Sequence, residues 1–362
     1  MNVRKSSINC VTGRIIKKGC HASAGLWAAI LCVLFCMLFI PACGGHTSNQ
    51  QEETEQYGDL TGQGKETEQY GDLIGQGKES EQYGDLIGQE KESGRYGVFI
   101  GTDEDLDQFE LFHTVVIDAQ YYDADEIVAF KNKGHKVYSY INIGSLERFR
   151  DYYDEYKDMA IGKYVNWDDE VWIDVSDKRW QDFVQLDLAP SLAGKGIDGF
   201  FVDNCDVYYQ YPSDDMLEGT AHIMRGLKDF GLDVIMNGGD VFLDAYCDRY
   251  GNWDDIITGI NQENVFSSIC WDDGSFGRAS DEDKEYFCKY LDRYAGLGAD
   301  IYLLEYTSDD ELISEIDAYC RDNGYHYYIS KSIELISDNE IEQADDDQER
   351  QRHQRQQAQQ RH

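Results

Sequence analysis

Acidic, amide and tyrosine side chains stand at or just beyond the ends of short apolar runs along this 362-residue chain. The residues in these positions are Asp118, Asn142, Asp203, Asn204, Asp206, Asn237, Glu263 and Tyr306. Any one of them could cap a helix or lie in a solvated loop, but a repeated set is typical of a shared site. Two carboxylic acids can cleave a glycosidic bond, since one protonates the leaving oxygen while the other attacks the anomeric carbon or activates water. The pattern therefore indicates carboxylate chemistry on a sugar.

The elements that must position these residues are eight apolar runs, several of them separated by amphipathic stretches. The runs span residues 96–101, 114–119, 136–144, 199–204, 233–238, 255–263, 299–307 and 325–332. They are rich in Val, Ile, Tyr and Phe and apolar on both faces, which is typical of strands buried inside a parallel sheet. We predict an α/β fold with a single (β/α)8 TIM barrel, in which catalytic groups lie at the carboxyl ends of the strands.

A ninth apolar run, residues 171–175, makes the strand count irregular. We assign this run to the long loop after the third strand. An open doubly wound sheet is the alternative fold, but the sequence contains no GxxxxGK[ST] motif that would support a nucleotide-binding loop.

Neither a metal site nor a Ser-His-Asp triad has much support in the sequence. Four histidines occur between residues 96 and 332, and none ends an apolar run: His113, His135, His222 and His326. Five cysteines follow residue 43 without a CxxC pair, which disfavours a zinc site and leaves one or two disulfides or buried thiols open. We therefore predict no metal and no cofactor.

Residues 1–43 have the features of an export signal. A basic, polar start precedes a nearly continuous apolar run, residues 24–42, and small residues surround Cys43. A cysteine after a small residue resembles a bacterial lipobox, so we predict lipidation at Cys43 and a cell-surface lipoprotein. An uncleaved membrane anchor is the alternative, since the run is just long enough to span a bilayer. Either interpretation places the bulk of the chain outside the cytoplasm.

Residues 44–95 are predicted to form a flexible stalk. They contain a 13-residue unit repeated three times over residues 53–91, with few apolar residues in each copy. Such a segment cannot bury enough apolar surface to offset its ordering entropy. The predicted barrel domain spans residues 96–336, and the polar tail 337–362 lacks apolar periodicity.

The chain is strongly acidic, with a formal net charge of −38. Residues 1–43 contain five basic residues and no acid, so the exported part would carry −43. This charge excludes a simple nucleic-acid binder, which needs Lys and Arg at phosphate contacts. It allows a cationic partner, although acidic surfaces also serve solubility alone.

Several motifs in the predicted barrel resemble those of glycoside hydrolase family 114, the endo-α-1,4-polygalactosaminidase-like barrels related to spherulin-type proteins. The similar segments are YSYINIGSLERFRDYY (138–153), WIDVSDKRW (172–180), GIDGFFVDNCDVY (196–208), INQENVF (260–266) and LLEYT (303–307). The resemblance implies an enzyme that cleaves within α-1,4-linked galactosamine polymers, which are cationic when deacetylated. One departure lies after YINIG, where the family often has an acid and this chain has Ser145.

The family's acids at the ends of strands four and six match Asp203 and Glu263, which implies that Asp203 is the nucleophile and Glu263 the general acid/base. Substrate contacts are predicted at the other strand-end residues and at two further positions. This set is Asp118, Tyr140, Asn142, Asp174, Asn204, Asp206, Asn237 and Tyr306. A non-catalytic carbohydrate-binding lipoprotein on the same barrel is the alternative function.

Overall fold

The computed structural model describes residues 95–337. Thirteen strands lie in this part of the chain. They are β1 (Tyr96–Phe99), β2 (Thr114–Ile117), β3 (Lys136–Asn142), β4 (Ser145–Glu147), β5 (Ala160–Lys163), β6 (Glu170–Ile173), β7 (Gly199–Asp203), β8 (Asp233–Asn237), β9 (Gly259–Glu263), β10 (Ser267–Cys270), β11 (Ser275–Arg278), β12 (Asp300–Tyr306) and β13 (His326–Ser330).

Nine α-helices accompany these strands within the same residues. They are α1 (Ala124–Lys131), α2 (Tyr153–Tyr156), α3 (Lys178–Phe183), α4 (Ala189–Ala193), α5 (Val207–Gln210), α6 (Asp214–Lys228), α7 (Asp240–Tyr250), α8 (Asp281–Ala295) and α9 (Asp310–Asn323). A π-helical segment, Val184–Leu188, joins α3 to α4, and short 3₁₀ helices span Leu106–Phe109, Ala119–Tyr121 and Lys157–Met159.

Eight strands form one parallel sheet in the order β1-β2-β3-β7-β8-β9-β12-β13. These are the eight strands that the apolar runs predict. The sheet curls into a nearly closed barrel, because β1 and β13 lie side by side at its two ends. The Phe99 and Tyr328 rings lie 5.2 Å apart across this junction, and the Gly101 amide donates to the Leu335 carbonyl over 3.2 Å. The predicted α/β barrel is confirmed in this form.

The strands are apolar on both faces because each face packs into a different core. Inside the barrel, alternate residues of neighbouring strands form one buried cluster that includes Val98, Val116, Tyr138, Tyr140 and Phe201. Outside, the intervening residues pack against the surrounding helices in a larger cluster. Register therefore decides which polar residue at a strand end faces the barrel interior.

Two excursions leave the barrel after the carboxyl ends of β3 and β9. Between β3 and β7, strands β4, β6 and β5 form an antiparallel sheet, which we call the excursion sheet. Its strand β6 contains most of the predicted extra run. Between β9 and α8, strands β10 and β11 form a hairpin. The assignment of the extra run to the loop after the third strand is therefore correct.

The surrounding helices depart from a regular pattern at three places. Helix α7 has no counterpart in the sequence prediction and begins directly after Gly239, which has a φ of 72°. The connection from β1 to β2 contains a 3₁₀ helix, and the described residues after β13, 331–337, form no helix. The structure thus has eight barrel strands but fewer than eight regular outer helices in the part it describes.

The predicted export signal, Cys43, the repeat stalk and nearly all of the polar tail lie outside the described residues. No helix within residues 95–337 is both long and apolar enough to cross a membrane. All five cysteines of this region, Cys205, Cys247, Cys270, Cys288 and Cys320, are free thiols.

Candidate active site

Three consecutive barrel strands end in polar residues that meet inside the barrel. Asp203 ends β7, Asn237 ends β8 and Glu263 ends β9. Parallel pairing in register places all three at the same end of the barrel. Each is almost completely buried, at 0 %, 1 % and 0 % exposure. The structure therefore brings together the two acids that the sequence identifies as a catalytic pair.

The side-chain amide of Asn237 connects the two acids. Its nitrogen donates to Asp203 Oδ1 over 3.0 Å and to Glu263 Oε1 over 2.8 Å. Because one nitrogen serves both oxygens, these oxygens are about 6 Å apart at most. They are about 5 Å apart if the two bonds follow the planar geometry of an amide.

The orientation of Asn237 is fixed by a chain of donors behind it. Asn261 Nδ2 donates to Asn237 Oδ1 over 2.7 Å, and the Tyr96 hydroxyl donates to Asn261 Oδ1 over 3.1 Å. With its oxygen occupied in this way, Asn237 must present both N–H groups to the acids. The residues behind the pair thus specify a bridging donor.

Asp203 accepts two further hydrogen bonds. The Tyr140 hydroxyl and Asn204 Nδ2 each lie 3.2 Å from Asp203 Oδ2. Asn204 has a φ of 68°, a left-handed conformation in which Asn is among the best-tolerated residues after Gly. With Asn237, three neutral donors surround this carboxylate, and hydrogen bonds of this kind favour its charged form.

The electrostatic environment of Asp203 opposes that effect. Burial raises the pKa of Asp203 well above its usual value, and the neighbouring carboxylates of Glu263 and Glu170 raise it further. The hydrogen bond from Asn237 acts in the opposite direction. Two like charges this close favour a state in which one acid of the pair keeps a proton.

A second residue at a strand end also donates a hydrogen bond to Glu263. The Tyr306 hydroxyl, at the end of β12, donates to Glu263 Oε2 over 2.8 Å. The Phe276 ring of the β10–β11 hairpin lies 5.9 Å from the Tyr306 ring. Leu335 is part of the apolar cluster inside the barrel, and Ile269 of the same hairpin packs against that cluster.

A buried ion-pair cluster lies on the other side of Tyr140. Arg150 contacts Asp118 over 2.6 Å and also pairs with Glu147. The Tyr140 hydroxyl, which contacts Asp203, also lies 3.1 Å from Glu147 Oε1. Burial by itself would lower the pKa of Arg150, but Asp118 and Glu147 raise it well above its usual value. Asp118 and Tyr140, both predicted substrate contacts, therefore belong to one network with the acid pair.

A third acid near Asp203 comes from the excursion sheet. Glu170, at the start of β6, accepts from Asn142 Nδ2 over 3.0 Å and from the Ser145 hydroxyl. Asn204 Nδ2 lies 3.4 Å from the same Glu170 oxygen. Glu170 is not among the residues predicted from the sequence, although Ser145 stands where the family often has an acid. The carboxylate contributed by β6 therefore lies beside that position.

Two predicted residues form hydrogen bonds with groups outside the Asn237 bridge. Asp206 is buried and accepts from the Gly239 amide over 3.2 Å, and burial and Asp240 raise its pKa well above the usual value. Asp174 follows β6, accepts from the Ser176 hydroxyl over 2.6 Å and lines an open groove. Asp174 thus belongs to the lining of this groove, one residue after the end of β6.

A barrel with two carboxylic acids at its strand ends is an arrangement that suits glycoside hydrolysis. The model of glycoside hydrolase family GH114 matches residues 89–350, and the chain belongs to this family. The resemblance found in the sequence is therefore confirmed. No curated protein sequence matches the chain.

Two solved structures share the fold. The glycoside hydrolase domain of PelA from Pseudomonas aeruginosa has a TM-score of 0.56 and 17 % identity, over 66 % of this chain and 96 % of that one. Aspergillus fumigatus Ega3, solved in complex with galactosamine, has a TM-score of 0.53 and 15 % identity, over 67 % and 93 % of the two chains. At these identities the similarity establishes the fold.

Proposed function

We propose that this protein is a retaining endo-glycoside hydrolase that cleaves α-1,4-linked galactosamine-type polysaccharide, with Asp203 as nucleophile and Glu263 as general acid/base. The shared Asn237 amide is the observation that carries the proposal. Retaining glycosidases hold their two carboxyl groups about 5–5.5 Å apart, whereas inverting enzymes need about 6.5–9.5 Å to admit a water. The bridged oxygens, which are at most about 6 Å apart, support the shorter separation.

The proposed reaction has two steps. Glu263 donates its proton to the glycosidic oxygen while Asp203 attacks the anomeric carbon, which breaks the C–O bond and forms a β-linked glycosyl ester. Glu263 then removes a proton from water, the water oxygen attacks the same carbon, and Asp203 leaves as a carboxylate. Two inversions return the α configuration.

The hydrogen bonds support this division of roles. Asp203 accepts from Asn204 and Asn237, and the Tyr140 hydroxyl, whose one proton is shared with Glu147, is also within hydrogen-bond distance; these donors stabilise the anionic nucleophile. Because the like charge of the neighbouring acid disfavours a doubly ionised pair, the proton is assigned to Glu263.

An amino-sugar substrate is supported by charge. With Asp203 ionised and Glu170 acting on it as a like charge, the site has a negative potential that favours a protonated amine. The net charge of the whole chain, −38, acts in the same direction at longer range. Ega3, a relative in fold, has been solved with galactosamine.

The rest of the chain is proposed to hold this domain at a bacterial cell surface. Lipidated Cys43 would anchor it to the membrane, residues 44–95 would act as a spacer, and the catalytic domain would span residues 96–336. Metabolic palmitate labelling of the wild type and of Cys43→Ala tests the anchor. Equal labelling of the two proteins, or none of the wild type, contradicts it.

Hydrolysis of a defined α-1,4-galactosamine oligomer tests the activity, with the first-formed anomer observed by proton NMR. We expect the α anomer to appear first, and its production to be lost in Asp203→Asn and Glu263→Gln. Glu311→Gln, a change of the same type at an exposed position, is the control. Initial release of the β anomer would contradict a retaining mechanism.

Azide distinguishes the two roles. An acid/base variant, Glu263→Ala, should form an α-linked glycosyl azide, because azide replaces water in the second step. A nucleophile variant, Asp203→Ala, should form the β-linked azide by a single displacement. The opposite pairing of variants and products would reverse the assignment.

A further inference from the structure

Glu305 is a completely buried carboxylate that the proposed reaction does not use. It lies in β12, one residue before the strand ends, and its two oxygens receive bonds from three successive backbone amides. Val265 N lies 2.9 Å from Oε1, Phe266 N lies 3.1 Å from Oε1, and Ser267 N lies 2.8 Å from Oε2. The Ser267 hydroxyl donates to Oε2 over 2.5 Å.

These amides belong to the segment that leaves the barrel directly after Glu263. The parallel pairing of β9 with β12 ends at Glu263 opposite Leu304, and Asn264, with a φ of 55°, turns the chain outward. Beyond this point, the side-chain carboxylate of Glu305 accepts the hydrogen bonds of amides 265–267 in place of backbone carbonyls of β12. It fixes the backbone between Glu263 and the β10–β11 hairpin.

The next residue of β12 acts on the other side of Glu263. Tyr306 donates its hydroxyl to Glu263 Oε2 over 2.8 Å, and its backbone amide donates to the Ser267 hydroxyl over 2.9 Å. Glu305 and Tyr306 therefore hold the backbone after Glu263 and the Glu263 side chain from the same strand end. A shift of the segment would change the direction of the Glu263 carboxyl.

We propose that Glu305 is a positioning residue that aligns Glu263 with the glycosidic oxygen by binding the amides of residues 265–267. This role rests on the proposed function only in that Glu263 is the acid/base. The carboxylate is suited to the role, because it can accept several hydrogen bonds and donates none when ionised.

Burial and hydrogen bonding have opposite effects on the pKa of Glu305. Burial outweighs the hydrogen bonds from Ser267, Phe266 and Val265, which act to lower the pKa of Glu305, and the pKa is raised to about 7. Cys288 on α8 and Cys320 on α9 are the titratable groups that face it, and Glu305 contributes to the raised pKa of each thiol. Lys284 on α8 lies 4.6 Å over the Phe266 ring.

The test compares Glu305→Gln with the wild type in the full-length protein. Gln is similar in shape but replaces one acceptor oxygen by an NH2 group, so at least one of the backbone amides loses its partner. We expect hydrogen exchange at amides 265–267 to become at least about tenfold faster, since the segment is held less tightly. Glu311→Gln, on the exposed face of α9, is the matched control.

Kinetics on galactosamine oligomers distinguish positioning from general structural support. We expect kcat to fall about tenfold to hundredfold with little change in KM, as for a misaligned catalytic group. The loss in kcat/KM, which reports the step in which the leaving group departs, should be largest for a sugar leaving group and small for a nitrophenyl leaving group, which needs little protonation. Tyr306→Phe should show the same dependence on the leaving group.

Two results would overturn the proposal. Exchange at amides 265–267 that is unchanged in Glu305→Gln would mean that the carboxylate does not hold the segment. Faster exchange with an equal loss on both leaving groups would make Glu305 a structural residue only. If wild-type protein fails to cleave any galactosamine oligomer, the proposed function fails, and the exchange measurement still decides whether Glu305 holds the segment.

Discussion

Asn204 turns back onto Asp203, the residue that precedes it. Its backbone adopts a φ of 68°, and its side-chain amide lies 3.2 Å from Asp203 Oδ2. The Tyr164 hydroxyl donates to Asn204 Oδ1 over 2.9 Å and orients the amide towards the carboxylate. A single Asn thus supplies both the turn after the strand and a donor to the proposed nucleophile.

Separate substitutions should distinguish these two contributions. Asn204→Gly keeps the left-handed turn but removes the donor, whereas Asn204→Ala removes the donor and strains the turn. We expect kcat to fall to a similar extent in both variants, and Ala to be less stable than Gly by about 1 kcal/mol. Urea unfolding and oligomer hydrolysis measure the two effects. Equal stability of the variants would argue against a strained turn.

Gly144 allows the chain after β3 to pass close to this turn. A Cβ at this position would lie 1.8 Å from the backbone oxygen of Asn204. Since backbone cannot move aside easily, Gly144→Ala should destabilise the protein by about 3 kcal/mol, measured by denaturant unfolding. The control is Gly194→Ala at the end of α4, where the nearest atom is 3.1 Å away and the change should cost less than about 1 kcal/mol. Similar losses in both variants would contradict the close approach.

The barrel could be predicted from the sequence because its strands are buried on both faces. A run such as 199–204 has no polar face, so it fits only between two cores, and its final Asp203 must then lie at the barrel end. Helix α7 was not predicted, because it follows β8 after only two glycines and its residues are largely acidic and aromatic.

The site was predictable only as far as it depends on strand ends. Glu170 reaches Asp203's surroundings through the pairing of β4 with β6, which sets Glu147 opposite Glu170. Sequence separation does not specify this register, and no motif marks the residue. The bridging role of Asn237 likewise depends on the Asn261 amide behind it, so the sequence indicates a polar strand end but not its partners.

Replacing Asn237 by Asp should change the pH dependence of catalysis. The variant loses the shared donor and places a third carboxylate between Asp203 and Glu263. Both changes raise the already elevated pKa of Asp203, which must be ionised to act as nucleophile. We therefore expect the acidic limb of the kcat/KM profile to move to higher pH, with activity at low pH lost first. An unchanged profile would show that Asn237 does not control the charge of the pair.

Asp206 should make the folded protein less stable as the pH rises. Its folded-state pKa is raised by burial and Asp240, so between about pH 4 and the raised value the folded state holds a proton that the unfolded chain releases. The stability associated with that proton is lost over this range, by up to about 1.4 kcal/mol per pH unit. In Asp206→Asn this dependence should be absent, while the Asn oxygen can still accept from Gly239.

Urea unfolding of wild type and Asp206→Asn from pH 4 to pH 8 measures this effect. The difference between the two free energies of unfolding should change steadily in favour of the variant as the pH rises. Asp322→Asn, at an exposed position on α9, is the control and should leave the slope of the wild type unchanged. Parallel pH profiles for wild type and Asp206→Asn would contradict the raised pKa.

Asp174 should affect the binding of long substrates rather than the chemical step. It lies in an open groove beyond the excursion sheet, and the groove contains aromatic, amide and acidic side chains. These lining residues include Ser176, Gln210, Tyr211 and Asp215. An endo-acting enzyme contacts several sugar units, and a carboxylate beside an aromatic ring can bind a cationic sugar away from the bond that is cleaved.

We expect Asp174→Asn and Tyr211→Ala to raise KM severalfold for long galactosamine oligomers while kcat for the shortest cleavable oligomer stays unchanged. Asp125→Asn, on the exposed face of α1, should raise neither value. A fall in kcat on the shortest oligomer would place Asp174 in the catalytic network instead.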